Sequence, residues 1–255
     1  MAFENAAAGD SNQQYLVFHG VTQSDLAKID GVRPKYTRVT YYWDVNLLII
    51  KLMPSVKHEL GHALFGQSII TKVIQMGMSY YDLLPIAASR FRGLLSSKEG
   101  DSCYKPASRH SEAEFPTLVI EAGLSETQAK LRCDAKWWLT QPGHNGNKVM
   151  IVVTISIKLN DKRLQIEKWE NALAPARPRT RANSGPPIQI PTQIQQVTIR
   201  PNATGAITPN EVTGAPLVLH FDKIFQRQPI VPQTDFTFSA NELAVFATKF
   251  WEGAT

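Results

Sequence analysis

Residues Phe115–Leu139 read FPTLVIEAGLSETQAKLRCDAKWWL, and this stretch decides the fold. Pro116 opens a short apolar run, Leu118-Val119-Ile120, which ends on Glu121 with the turn-former Gly123 just behind. Ser125 and Gln128 stand at the N-cap and N3 spacing of a capping box, which predicts a helix from that point. Ala129, Leu131, Ala135, Trp138 and Leu139 then recur with a helical rather than a two-residue period. The stretch therefore predicts a buried strand, a turn and a helix running back along it. It leaves one carboxylate, Glu121, at the strand's exit. A charge there costs free energy unless it is paired, protonated or bound to a metal, so Glu121 is a candidate functional residue.

Upstream, Ser24–Ile29 predicts a short helix capped by Ser24 or Asp25, and Tyr36–Asp44 with Val45–Leu52 predicts two strands joined near Asp44–Asn46. Met53-Pro54-Ser55 stops the second strand, with Ser55 as the cap of the next helix. That helix carries Leu60, Ala63, Leu64, Val73 and Ile74 on its apolar face and ends at Gly77. Ile86–Phe91 predicts a strand, Ser96–Gly100 a polar turn, and Asp101–Lys105 and Pro116–Ala122 two further strands. Downstream of the opening stretch, a glycine-rich turn at Pro142–Gly146 leads to Val149–Ile157, an almost continuous apolar run suited to a strand buried on both faces. Asn160-Asp161 turns into an amphipathic partner, Leu164–Trp169.

Ala174–Pro201 changes character: it is proline-rich, carries Arg177, Arg179 and Arg181, and reads as a flexible insertion. Leu217–Phe221 resumes a strand. Ser239–Trp251 is a capped helix with Leu243, Phe246, Ala247 and Phe250 on its packing face. These last two elements are too little for a second domain and are expected to complete the first. The fold class is α/β (α+β), a mixed central sheet flanked by helices.

Composition fits this reading. Hydrophobic residues are 43% of 255, enough for a real core, and residues 1–14 read as a frayed terminus. With no spanning apolar stretch and no leader pattern, the chain reads as intracellular, cytoplasmic or nuclear, without a membrane partner. Cys103 and Cys133 lack metal-ligand spacing and read as buried, reduced thiols. A net charge of +5 is compatible with a polyanionic partner. Trp137 and Trp138 are adjacent, so one is expected to pack and the other to be exposed.

HELGH at His58–His62 matches the zinc-protease helix signature, with two imidazoles on one face and a glutamate as base. The extended signature needs Gly at position 65 and His at 68, where this chain has Phe65 and Ser68. After Glu59 the next glutamate is Glu99, too far on for the usual third ligand. The motif also falls in the first turns of its helix, where His and Glu serve as capping groups. A zinc metalloprotease is thus a remote alternative.

Three blocks carry a stronger likeness. They are Pro-Ser-x-x-His opening a helix at Pro54, Glu-Gly-Asp-x-x-Tyr-Lys-Pro at Glu99, and Pro-Thr-Leu-Val-Ile-Glu-Ala-Gly-Leu-Ser-Glu at Pro116, with Asp134 downstream. Together they resemble the PD-(D/E)XK, restriction-endonuclease-like superfamily, and within it the Uma-type endonucleases. LSETQAKLRCDAKWWL and LQIEKWE are similar to a set of mostly uncharacterised proteins of filamentous fungi. The resemblance spans roughly Tyr36 to Trp169.

The resemblance implies a divalent-metal-dependent nuclease acting on DNA or RNA. It makes Asp101 and Glu121 ligands of Mg (or Mn), with the Ala122 carbonyl beside them and Glu59 as a third acid. It also requires a lysine two residues after Glu121, where this chain has Gly123. Lys136 or Lys130 in the following helix is the candidate substitute, and Lys105 lies near in sequence. The alternative is a catalytically inactive nuclease-like fold acting as a nucleic-acid- or protein-binding module.

Overall fold

The computed structural model describes residues 15–52, 56–86, 89–124, 128–174 and 188–254. Strand β1 (Tyr15–His19) is followed by helix α1 (Gln23–Val32) and the hairpin β2 (Thr37–Tyr42) and β3 (Leu47–Leu52). The long helix α2 (Val56–Gln75) leads to four short strands: β4 (Leu83–Pro85), β5 (Arg90–Arg92), β6 (Ser96–Glu99) and β7 (Ser102–Pro106). The central unit is β8 (Leu118–Leu124), α3 (Gln128–Thr140) and β9 (Ile151–Lys158), followed by β10 (Arg163–Leu173) and β11 (Gln189–Ile199). The chain closes with β12 (Val212–Thr213), β13 (Leu217–Leu219), the short helix α4 (Phe221–Phe225), β14 (Phe236–Phe238) and α5 (Ala240–Gly253).

A five-stranded sheet runs β1-β3-β2-β6-β5, a seven-stranded sheet runs β12-β11-β10-β9-β8-β7-β4, and β13 pairs with β14. Strands β8 and β9 are parallel, and α3 is the crossover that a parallel pair requires. The architecture is the mixed α/β class that the sequence predicts.

Alternation along β8 sorts the core. Leu118, Ile120 and Ala122 join Phe65, Ile69 and Val73 of α2 and Leu243, Phe246, Ala247 and Phe250 of α5 in one cluster. Val119 points the other way, into a second cluster with Cys103, Ala135 and Trp138. The terminal helix thus packs into the main core. It is capped as the sequence predicts, and the cap is a capping box: the Ser239 side chain accepts from the Glu242 backbone N–H.

Several elements differ from expectation. Helix α1 is capped by Thr22, and Asp25 is the N3 partner of that box. Ser96–Glu99 is a strand, not a turn, because it pairs with β2 on one side and β5 on the other. The single strand expected at Ile86–Phe91 is replaced by β4 and β5. The segment read as a flexible insertion contains β11, paired with β10 from Leu173↔Gln189 to Leu164↔Ile199. A partner edge outweighs the weak local signal of a glutamine-rich strand. Trp137 and Trp138 are both buried, and Cys133 is exposed whereas Cys103 is buried. The expected frayed terminus, the Ser55 and Ser125 caps, and Arg177, Arg179 and Arg181 lie outside the described residues. Among the described residues, no helix is long and apolar enough to cross a membrane.

Candidate functional site

Asp101 sits where the chain passes from β6 of the five-stranded sheet to β7 of the seven-stranded one, and Glu121 lies on β8. Glu121 follows the alternation of Val119 and faces α3, where its Oε1 accepts a hydrogen bond from Trp138 Nε1 at 2.7 Å. Asp101 Oδ2 accepts from the Ala122 backbone N–H at 2.8 Å. The two carboxylates converge. Both are buried, Asp101 3% and Glu121 0% exposed.

Between them stands an ammonium from outside the expected site residues. Lys51, from the apolar strand β3, places Nζ 2.5 Å from Asp101 Oδ2 and 3.5 Å from Glu121 Oε2, and donates to the Ala122 carbonyl at 2.8 Å. Lys98 of β6 lies 3.5 Å from Glu121 Oε1 and 2.9 Å from Asp134 Oδ1. Lys130 adds a third ammonium, donating to Asp134 one turn along α3. Acids from the β6–β7 junction, β8 and α3 are therefore met by lysines from the five-stranded sheet and α3.

The electrostatics follow from this pairing. Burial acts to lower the Lys51 pKa, but the Asp101 and Glu121 charges override it, so the ammonium is held firmly. Burial acts to raise Asp101, yet Lys51 and His58 hold it well below the usual carboxylate range. At Glu121, burial outweighs Lys98 and pushes the carboxyl up. Asp134 is lowered against its burial, through Lys98 and Lys130.

The other expected residues lie elsewhere. Lys136 is exposed on α3, and Lys105 donates to the Ser111 carbonyl at 2.9 Å. Glu59 meets the imidazoles: its Oε2 is 3.3 Å from His62 Nε2, and its Oε1 is 4.0 Å from His58 Nδ1. His58 in turn donates from Nε2 to the Ala122 carbonyl at 2.9 Å and lies 3.5 Å from Asp101 Oδ2. Burial pushes the His58 imidazole down to about 4, so it is neutral at pH 7. The sequence did carry a sign of Lys51. A lysine inside the run LLIIKL needs a buried acid as much as Glu121 needs a cation.

The arrangement can be tested for a hard divalent ion. Three oxygens of the right kind converge, from Asp101, Glu121 and the Ala122 carbonyl, but all three already face one ammonium. Magnesium requires ligands at about 2.0–2.1 Å and keeps several waters, and the Lys51 ammonium stands among the three oxygens where the ion would sit. As arranged, these residues do not fit the ion.

No family model matches the chain, and no curated protein matches it. Among solved structures it is similar to one described as "a putative nuclease belonging to DUF820 from Anabaena variabilis". The two are 15% identical, with a TM-score of 0.39 over 62% of this chain and 89% of the other.

Proposed function

We propose that this protein is a nuclease-like nucleic-acid-binding module in which an internal lysine stands where the resemblance implies a catalytic metal. The observation that supports this most directly is the position of Lys51 Nζ, in contact with all three oxygens that would otherwise hold the ion. Charge supports it too. Lys51, Lys98 and Lys130 balance Asp101, Glu121 and Asp134 one for one, so an added divalent cation leaves the buried cluster with two uncompensated positive charges. Such an excess in a low-dielectric interior costs several kcal/mol, and the cluster has no reason to recruit it. The net charge of +5 supplies the attraction for a DNA or RNA backbone.

A second reading, metal-dependent phosphodiester hydrolysis, is favoured by one observation. Asp101 Oδ1 and Glu121 Oε2 are buried without a hydrogen-bond partner among the described residues. That reading requires Lys51 to withdraw from the acids.

Incubation with plasmid, single-stranded DNA and RNA, with magnesium or manganese, separates the two. The binding reading expects salt-sensitive affinity, because phosphate contacts release counterions, with no cleavage. Cleavage by the wild type that Asp101→Asn and Glu121→Gln both remove decides for hydrolysis.

A further inference from the structure

The HELGH turns of α2 are not absorbed by this reading, and they hold a group of their own. One ligand atom each from His58, Glu59 and His62 lies within 4.8 Å of the others, and this is the metal-competent cluster among the described residues. We propose that His58, Glu59 and His62 bind a borderline transition-metal cation of the zinc class, on the side of His58 turned away from the Asp101–Glu121 pair.

The donor chemistry suits such an ion. Imidazole nitrogen and one carboxylate oxygen are zinc-type ligands, whereas a magnesium site is built from oxygen alone. Each imidazole is also held by its far nitrogen, as metal-binding histidines are. The Ala122 carbonyl can only accept, so it fixes the His58 proton on Nε2 and puts the ring's lone pair on Nδ1, the side of Glu59. His62 Nδ1 is engaged with Ser102 Oγ at 2.8 Å, which leaves Nε2 facing Glu59 Oε2 at 3.3 Å.

That last contact is the telling one. His62 Nε2 is buried, and its approach to Glu59 does not have hydrogen-bond geometry. A cation between nitrogen and carboxylate satisfies both. Four-coordinate zinc places neighbouring ligand atoms roughly 3.3 Å apart, close to the spacing already present between His62 and Glu59. On the His58 side the spacing is 4.0 Å, and a rotation of the half-exposed Glu59 side chain would close it. The same exposure gives an ion a route from solvent, which the sealed acid pair lacks.

Glu59 also separates this site from a protease. In the protease signature the glutamate stays off the metal and acts as base; here it is the third ligand, so no base is left. Zinc uptake at this triad is independent of whether Asp101 and Glu121 turn over a phosphodiester.

The test is equilibrium dialysis of the tag-free full chain, stripped with chelator, against Zn²⁺, with Co²⁺ as a spectroscopic probe. The expected result is one Zn²⁺ per chain and a Co²⁺ visible spectrum of a nitrogen- and oxygen-ligated site of low coordination number. His62→Ala removes uptake, and Glu59→Gln weakens it at least about tenfold. Glu59 is half-exposed, so Glu59→Gln reports even where His62→Ala does not fold. His220→Ala, at the exposed His220–Asp235 pair, leaves uptake unchanged. No Zn²⁺ retained by the wild type at micromolar levels overturns the proposal, as does wild-type affinity in either triad variant.

Discussion

The ammonium of Lys51, on β3 of the five-stranded sheet, lies 2.5 Å from Asp101 Oδ2, and that same oxygen accepts from the Ala122 backbone N–H of β8 in the seven-stranded sheet. The pair therefore ties the five-stranded sheet to the seven-stranded one inside a region from which water is excluded. Removing one partner leaves the other charged and buried, which typically costs about 3–5 kcal/mol. Lys51→Met is expected to lower stability by that order in chemical denaturation. Magnesium should raise the melting temperature of Lys51→Ala, which also vacates the place of the ammonium, while leaving the wild type unmoved. A wild type stabilised by magnesium to the same degree argues against the ammonium as the resident cation.

The hydrogen bond from Trp138 to Glu121 makes a second test. Trp138→Phe keeps an aromatic ring in the cluster with Phe91 and Phe115 but removes the donor to a buried carboxylate. Hydrogen bonds to charged groups contribute about 1.5–3 kcal/mol, so the variant should be destabilised by at least that order at pH 7. Urea midpoints read this directly, and a loss of under about 0.5 kcal/mol contradicts a charged Glu121 held by the indole.

Acid titration isolates Asp134. Its carboxyl is held below the ordinary aspartate range, against burial, by Lys98 and Lys130. A depressed folded-state pKa contributes stability that is complete above the unfolded value, near 3.9, and is lost as pH falls through the folded one. Melting temperatures should thus hold through mildly acidic pH and drop only in strongly acidic solution. Asp134→Asn should start lower at pH 7 and show a shallower acid limb. Parallel acid limbs in the two proteins count against the assignment.

Gly66 sets how closely α2 approaches the sheet. A Cβ at this position would meet Tyr104 Oη at 1.9 Å and Cζ at 3.0 Å, and Tyr104 is a rigid, buried ring. Gly66→Ala is expected to destabilise by roughly 1–3 kcal/mol despite alanine's better helix propensity. Tyr104→Phe removes the closest atom and should recover part of that loss. Equal costs of Gly66→Ala in the two backgrounds would mean that the contact is not what limits the approach.

The residues alone determined the elements with strong local signals. The apolar run and helical spacing of Leu118–Leu139 gave β8 and α3, the almost continuous apolar run Val149–Ile157 gave β9, and the cap and apolar face of Ser239–Trp251 gave α5. Glu121 was legible as a charge closing an apolar run, whereas Asp101 was joined to it only by what the family resemblance implies. Pairing across sheets was not legible. β6 reads as a polar turn until β2 and β5 flank it, and β11 as a loose insertion until β10 offers a partner along its length.

The same limit applied at the site. Lys51 lies 50 residues from Asp101, and Lys98 lies more than a helix's length from Glu121 and Asp134 in the chain, so no local spacing links these pairs. A buried charge announces that it needs a counter-charge, but not where that group comes from. Only the packing of one sheet against the other chose lysines for the acids of this chain, because the interior admits just those charges that arrive already compensated.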